Sequence, residues 1–180
     1  RNYWDLSEAS NLQISASALT GKRPQPATIV GDPTLTAVNV RQSLIGGDLT
    51  FRWRPLQEGL YRSFLLRAEY MVQVNDDDVG DPALVVYEGP TQNFAGAYIF
   101  ARYQLTRRLF LGSRLDALDD PEAAGFNFRA LSGYLQYFPS EFSKLVAGYE
   151  RVRPAGGLPD VNRILLQATF AIGPHRPHPF

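Results

Sequence analysis

Two histidines, His175 and His178, lie three residues apart in the terminal stretch "GPHRPHPF" and are the chain's only imidazoles. Pro174, Pro177 and Pro179 around them favour an extended path with three residues per turn, which sets both rings on one side. As neutral imidazoles near the terminal carboxylate, that pair could hold a divalent metal. Two ligands fall short of a closed site, so a plain tail is the reading adopted, with His175 and His178 as weak metal candidates. The acidic stretch "NDDDVGDPALVVYE" is a second constellation, in which Asp76, Asp77, Asp78, Asp81 and Glu88 offer oxygen ligands suited to Ca²⁺. With Asn75 as first ligand, Gly80 falls where a calcium loop needs it, but Val79 takes a ligand position and no Glu closes the loop. A Ser–His–acid arrangement would have to be built from the tail histidines. The paired carboxylates Asp119 and Asp120 sit in a connection with no sign of the burial that would split their pKa values. The chain has no cysteine, hence no thiolate nucleophile and no disulfide framework. Neither enzymatic activity nor a cofactor is expected.

The remaining chemistry lies in a repeated charged stripe. In "SFLLRAEYMVQVN", Phe64, Leu66, Ala68, Tyr70, Val72 and Val74 share one face, while Ser63, Arg67, Glu69, Gln73 and Asn75 share the other. "LIGGDLTFRWR" repeats this, with Ile45, Leu49, Phe51 and Trp53 against Asp48, Thr50, Arg52 and Arg54. Strict period-two alternation marks strands whose two sides meet different environments. Strands are read at 10–20, 38–54, 62–75, 93–105, 108–118, 127–138, 143–153 and 161–173, with no helical periodicity. "RNYWDLSEASN" reads as the end of one more, preceding strand. The polar faces collect Asp48, Arg52, Arg54, Arg67, Glu69, Arg102, Gln104, Arg114, Asp116, Glu150, Arg163 and Gln167. The 18 basic and 18 acidic residues cancel, which leaves no field aimed at nucleic acid.

The connections alternate between short and long, from a short "DLSEAS" and a long "GKRPQPATIVGDPTLTA" to a short "PSEFS" and a medium "PAGGLPD". In an up-and-down meander this gathers the short turns at one end, the asymmetry of outer-membrane barrels. Trp4, Trp53, Tyr103, Tyr137 and Phe138 fall beside the short turns, where an interfacial aromatic girdle belongs. No apolar run is long enough for a transmembrane helix, which says nothing about transmembrane strands. A soluble lipocalin-like barrel or sandwich is the bland alternative, its apolar faces forming a core.

The stretches "GGDLTFRWRPLQEGLYRSFLLRAEY", "AGAYIFARYQLTRRLFLGSRLD", "LSGYLQYFPSEFSKLVAGYERVR" and "LLQATFAIGPHRPHPF" resemble the C-terminal half of porin-like outer-membrane proteins of Gram-negative bacteria. The resemblance covers most of the chain, most strongly Leu44 to Phe180. It implies a bacterial outer-membrane location, lipid and lipopolysaccharide as surroundings, and a terminal aromatic read by the assembly machinery. Phe180 would be that residue, with Phe170 and Ile172 sharing the signal because prolines interrupt the path between them. It further implies N-terminal barrel strands as partners, and a passive channel for small solutes. The expectation is therefore an all-β, antiparallel up-and-down transmembrane β-barrel, with about eight strands in this chain as part of a larger barrel. Residues 1–173 form its strands, short periplasmic turns and longer external loops, and 174–180 a periplasmic tail. A closed eight-stranded barrel with a structural or adhesive role is the alternative, its lumen charges pairing into a plug. In either barrel the acidic connection would bridge lipopolysaccharide phosphates through divalent ions.

Two finer expectations concern side chains. Leu12, Ile14, Ile45, Leu49, Phe51, Phe64, Leu66, Ala68, Ile99, Leu111, Leu115, Leu131, Leu135, Leu145, Ile164, Leu166 and Phe170 should share the outward face. Pairing wet residues with wet ones sets Glu150 against Arg163, Val146 against Gln167, and Asp48 against Arg67, with Arg52, Arg54, Arg102 and Arg114 as a cationic strip.

Overall fold

The structure, a computed structural model, describes residues 2–76, 85–87, 93–119, 127–154 and 156–171. The strands are β1 (Asn2–Ser7), β2 (Ser10–Ile29), β3 (Asp32–Trp53), β4 (Phe64–Asp76), β5 (Val85–Tyr87), β6 (Phe94–Gln104), β7 (Leu109–Asp119), β8 (Asn127–Ser140), β9 (Ser143–Arg153) and β10 (Val161–Phe170). They form one sheet in the order β1-β2-β3-β4-β6-β7-β8-β9-β10, with β5 off this path on β2. Every pairing is antiparallel, and no helix occurs among the described residues. The sheet is open. Among the described residues β1 pairs only with β2 and β10 only with β9, and all ten residues of β10 are exposed.

The alternating stretches all became strands, and the N-terminal stretch forms β1. The connection read as a long loop over 21–37 did not remain one. It continues β2 and β3 into a hairpin of 20 and 22 residues, reversed at Val30–Gly31, where Gly31 takes φ +90°. Pro24 and Pro26 stand opposite Asn39 and Ala37. Their spacing of two lets both turn the missing N–H to the side of β2 away from β3, so the ladder survives prolines that read as breakers. The acidic connection is also more than a loop, because Val85–Tyr87 pairs with Ala27–Ile29 on the free edge of β2. The last strand ends at Phe170, short of the expected 173. Ile172, His175, His178 and Phe180 lie outside the described residues, as do Asp77, Asp78, Asp81, Glu88 and Asp120.

Register fixes the faces, since directly opposed residues share one. Trp53, Phe64 and Tyr103 are opposed in one row beside the short turns, and Phe51, Leu66 and Ala101 form the next row on the same side. Leu49, Ala68, Ile99, Leu115 and Leu131 continue that face, as do Leu135, Ala147 and Leu166. Every residue expected to point outward lies on it. Along the strands no charge interrupts this face until Lys22, Arg41, Asp119, Arg129, Arg151 and Arg153 near the ends with long connections.

The opposite face carries the charges and is the more enclosed. Phe110, Ala130, Phe138, Val152, Gln13, Thr50, Gln104 and Gln136 on it are buried, whereas Leu111, Leu115, Leu131 and Leu166 on the apolar face are 50%, 47%, 58% and 80% exposed. No second layer packs on this part of the sheet, as its substantial contacts run between hydrogen-bonded neighbours. Neighbours on one side of a single sheet bury each other only when it curves toward that side, so the charged face is concave. This inverts the arrangement of a soluble sheet, whose apolar face forms the core. Glycines assist the curvature. Tyr134 lays its ring over Gly112 and stacks on Phe100 at 6.1 Å between centroids, so an aromatic fills the place of the missing side chain.

Candidate functional site

The concave face gathers Asp48, Arg52, Arg67, Glu69, Arg102, Gln104, Arg114, Asp116, Glu150, Arg163 and Gln167. Arg54 follows β3 into the short turn, where its Nε donates to the Gly59 carbonyl at 2.9 Å. Sequence alternation thus placed the polar set on one side, and three concave regions divide it.

The largest is a groove of ≈ 570 Å³ toward the long-connection end, with Glu69, Tyr98, Arg114, Asp116, Glu150 and Arg163 on its walls. Each of its two arginines is matched to a carboxylate, with Glu69 in excess. Arg114 makes a forked contact with Asp116 at 2.7–3.0 Å and lies over the Tyr98 ring at 4.4 Å. Arg163 faces Glu150 in register, with Nη1 to Oε2 at 3.5 Å, and Gln167 faces Val146. Both of these expected pairings are present.

The second region, ≈ 250 Å³, lies between Asp48, Thr50, Arg52, Arg67 and Glu69. Here the expected pairing of Asp48 with Arg67 is corrected. Asp48 stands opposite Glu69, and Arg67 opposite Thr50 and Phe100. Polar-to-polar matching admits registers two residues apart, and the one adopted aligns Trp53 with Phe64 and Phe51 with Leu66 on the other face. Arg67 becomes a diagonal neighbour of Asp48, whose Oδ1 accepts the Ser15 hydroxyl at 3.3 Å.

The third region, ≈ 330 Å³, opens at the short-turn end among Arg52, Arg54, Leu65, Arg102, Gln104, Phe110 and Phe138. Arg102 lies over the Phe110 ring at 5.1 Å, and Phe138 meets Phe110 edge-on at 5.5 Å. Phe138 was expected in the girdle; instead it is buried on the concave side, with the ladder irregular just beyond Tyr137. Gln104 is 3% exposed and fully engaged, accepting from the Ser63 hydroxyl and donating to the Leu60 carbonyl, both at 2.9 Å.

Arg114, held by Asp116, does not belong to a free cationic strip; the strip contracts to Arg52, Arg54 and Arg102. The aromatics Tyr98, Phe100, Phe110 and Tyr134 on this face escaped the sequence reading. Their signal is present in the sequence, since Tyr98 and Phe100 alternate in step with Arg102 and Gln104.

At the far rim, Asp160 accepts from Arg151 Nη2 at 2.6 Å and lies 3.5 Å from Arg153 Nε. The hydrogen bond from Arg151, with the charges of both arginines, holds the Asp160 carboxyl below the usual carboxylate range. Asp119 ends β7 and accepts the Ala95 N–H at 3.0 Å, a structural use for a carboxylate first considered as half of an acid pair. Among the described residues no group of three or more His, Cys, Asp or Glu could hold a metal ion.

No protein family, characterised protein or solved structure matches the chain.

Proposed function

We propose that this chain forms a wall segment of a porin-like β-barrel in a bacterial outer membrane, its apolar convex face toward lipid and its charged concave face toward a water-filled path for small solutes. The observation that carries this reading is the inverted sheet. Its exposed face carries no charge between an aromatic row at the short turns and charged residues at the other end, and is apolar there apart from small hydroxyl residues such as Ser113, Thr20 and Ser43. Phe64 to Val74 on β4 spans ten strand steps, about 33 Å along the strand, which projects to roughly 25 Å at the usual tilt of transmembrane strands. That is the height of the lipid-facing band in outer-membrane barrels.

The edges favour a larger barrel over a closed small one. Among the described residues the path holds nine strands. In an antiparallel meander β1 and β10 then run the same way, so joining them directly would make a parallel pair. An odd number of further strands restores antiparallel pairing throughout, in keeping with the even strand numbers of single-chain bacterial barrels. Free edges are intolerable in hydrocarbon, which gives the additional strands a physical necessity under this reading. Lipopolysaccharide and the assembly machinery are the implied partners, and the mixed charges of the concave face suit passage of solutes rather than catalysis.

The test uses the full-length protein in liposomes. Trp4 and Trp53 should be quenched more by lipids brominated near the headgroup than by lipids brominated at the chain ends, and planar bilayers should show stable conductance steps. Absence of quenching from either lipid would overturn the membrane reading. Quenching without conductance would overturn the channel and leave a structural barrel.

A further inference from the structure

We propose that the short-turn end of the concave face is a binding subsite for small organic carboxylates, molecules with an apolar body and a single anionic head. The inference deepens the solute-path reading and rests on it, because only there do these side chains meet passing solutes. Arg52, Arg54 and Arg102 all contribute to one cavity of ≈ 330 Å³, and no carboxylate lines it. The groove toward the other end differs, since Arg114 is taken by Asp116 and Arg163 by Glu150. Along the rung of Arg52 the first carboxylate is Asp5, two strands away beyond Asn11. Glu58 in the adjoining turn is engaged by Arg62 at 3.3 Å.

Each arginine is disposed differently. Arg54 is held by the Gly59 carbonyl through Nε, leaving its terminal nitrogens to the cavity. Arg102 is half-buried and supported on the Phe110 ring. Arg52 is exposed and makes no hydrogen bond or ion pair among the described residues, so it can close on a ligand without breaking an existing contact. Three guanidiniums around one space that no carboxylate lines are stabilised by an anion, although Arg52 also borders the neighbouring region of Asp48 and Glu69, and the planar guanidinium fork matches a carboxylate with two parallel hydrogen bonds.

The floor of the same cavity specifies the rest of the ligand. Phe110 and Phe138 are 6% and 8% exposed, packed edge-on, and Leu65 extends them. Of the three regions, this one combines cations that no lining carboxylate matches with an apolar aromatic pair. A bare inorganic anion would satisfy the arginines and leave this floor wet, whereas a ring- or chain-bearing carboxylate covers both. Gln104, tied to Ser63 and Leu60, fixes the wall between the cationic and apolar parts.

The experiment titrates 4-fluorobenzoate against the full-length protein in lipid nanodiscs, read by ¹⁹F NMR. Inorganic phosphate and 4-fluorobenzyl alcohol serve as head-only and body-only probes. Saturable 4-fluorobenzoate binding is expected, weakened about tenfold in Arg52→Gln by loss of one charged hydrogen-bonding partner, and unchanged in Arg151→Gln at the far rim, where the arginine is paired with Asp160. Phosphate and the alcohol should each bind at least about tenfold more weakly than 4-fluorobenzoate, since each lacks half of the recognition. No saturable binding, equal affinity in Arg52→Gln, or phosphate binding as tightly as the aryl carboxylate would each overturn the proposal. Bilayer conductance on the same preparation separates the two readings. Binding without conductance refutes the channel and retains the subsite, and conductance without binding refutes the subsite alone.

Discussion

Arginine placed at Leu115 and, separately, at Leu165 puts one charge on each face of the sheet at positions equally open in the isolated chain. Leu115 is 47% exposed on the apolar face, in register with Ile99 and Leu131, which are 49% and 58% exposed. Leu165 is 46% exposed on the concave face, opposite Gly148. If water bathes both faces, both are ordinary surface substitutions, each changing stability by no more than about 0.5 kcal/mol. If lipid covers the convex face, the two diverge. Leu115 lies one residue beyond the middle of β7, about 3 Å along the strand from the centre of its apolar band. Arginine near the midplane of a barrel's outer face costs roughly 2–4 kcal/mol, a factor of about 30 to 900 in the folding equilibrium, whereas arginine on the inner face meets water. The assay is reversible urea unfolding of the full-length protein in liposomes, with Leu115→Gln to separate loss of leucine from gain of charge. Leu115→Arg should be the least stable variant by at least about 2 kcal/mol, and Leu165→Arg should match the parent. Equal stability of the two arginine variants within about 0.5 kcal/mol would refute the assignment of the convex face to lipid.

Three further outcomes follow from local geometry. Gly112→Ala should destabilise the fold by about 1–3 kcal/mol, because a methyl group there displaces the Tyr134 ring from its place on Phe100; urea unfolding together with the Tyr134 ring resonances would register both effects. A double-mutant cycle on Glu150→Gln and Arg163→Gln should give a coupling of only about 0.2–1 kcal/mol that fades with salt, since the pair spans 3.5 Å and Arg163 is exposed. Asp160, held low by Arg151, favours the folded state above the ordinary carboxylate pKa and loses that contribution as pH falls through its depressed folded value. An NMR pH titration should find its midpoint below that of an unpaired Asp, returning to the ordinary range in Arg151→Gln.

Much of the architecture was legible along the chain because a strand with different surroundings on its two sides must alternate with period two. The residues of Phe64–Val74 and Asn162–Phe170 sort onto two faces by counting alone, and the sorting holds in the sheet. The division into an apolar face and a charged face followed from residue type. The hairpin over 21–37 was not legible in the same way, because Pro24, Pro26 and Gly31 break most strands, and only their register opposite Asn39, Ala37 and the Val30–Gly31 reversal makes them tolerable. Nor could the pairing of Val85–Tyr87 with β2 be read, since nothing local distinguishes it from a loop.

The candidate site shows the same division. Its polar members were determined by alternation, but partner choice was not: Glu150 found Arg163 as counted, whereas Asp48 met Glu69 instead of Arg67. A register two residues away keeps every side chain on its face and changes every neighbour, so face assignment is a property of one strand and pairing a property of two. Only the assembled sheet decided that Arg114 is matched by Asp116 while Arg52, Arg54 and Arg102 share a cavity without a carboxylate. Only its curvature decided which face encloses space, because concavity arises from the summed twist and register of all the strands and from glycines such as Gly112 that let an aromatic lie flat across a neighbour.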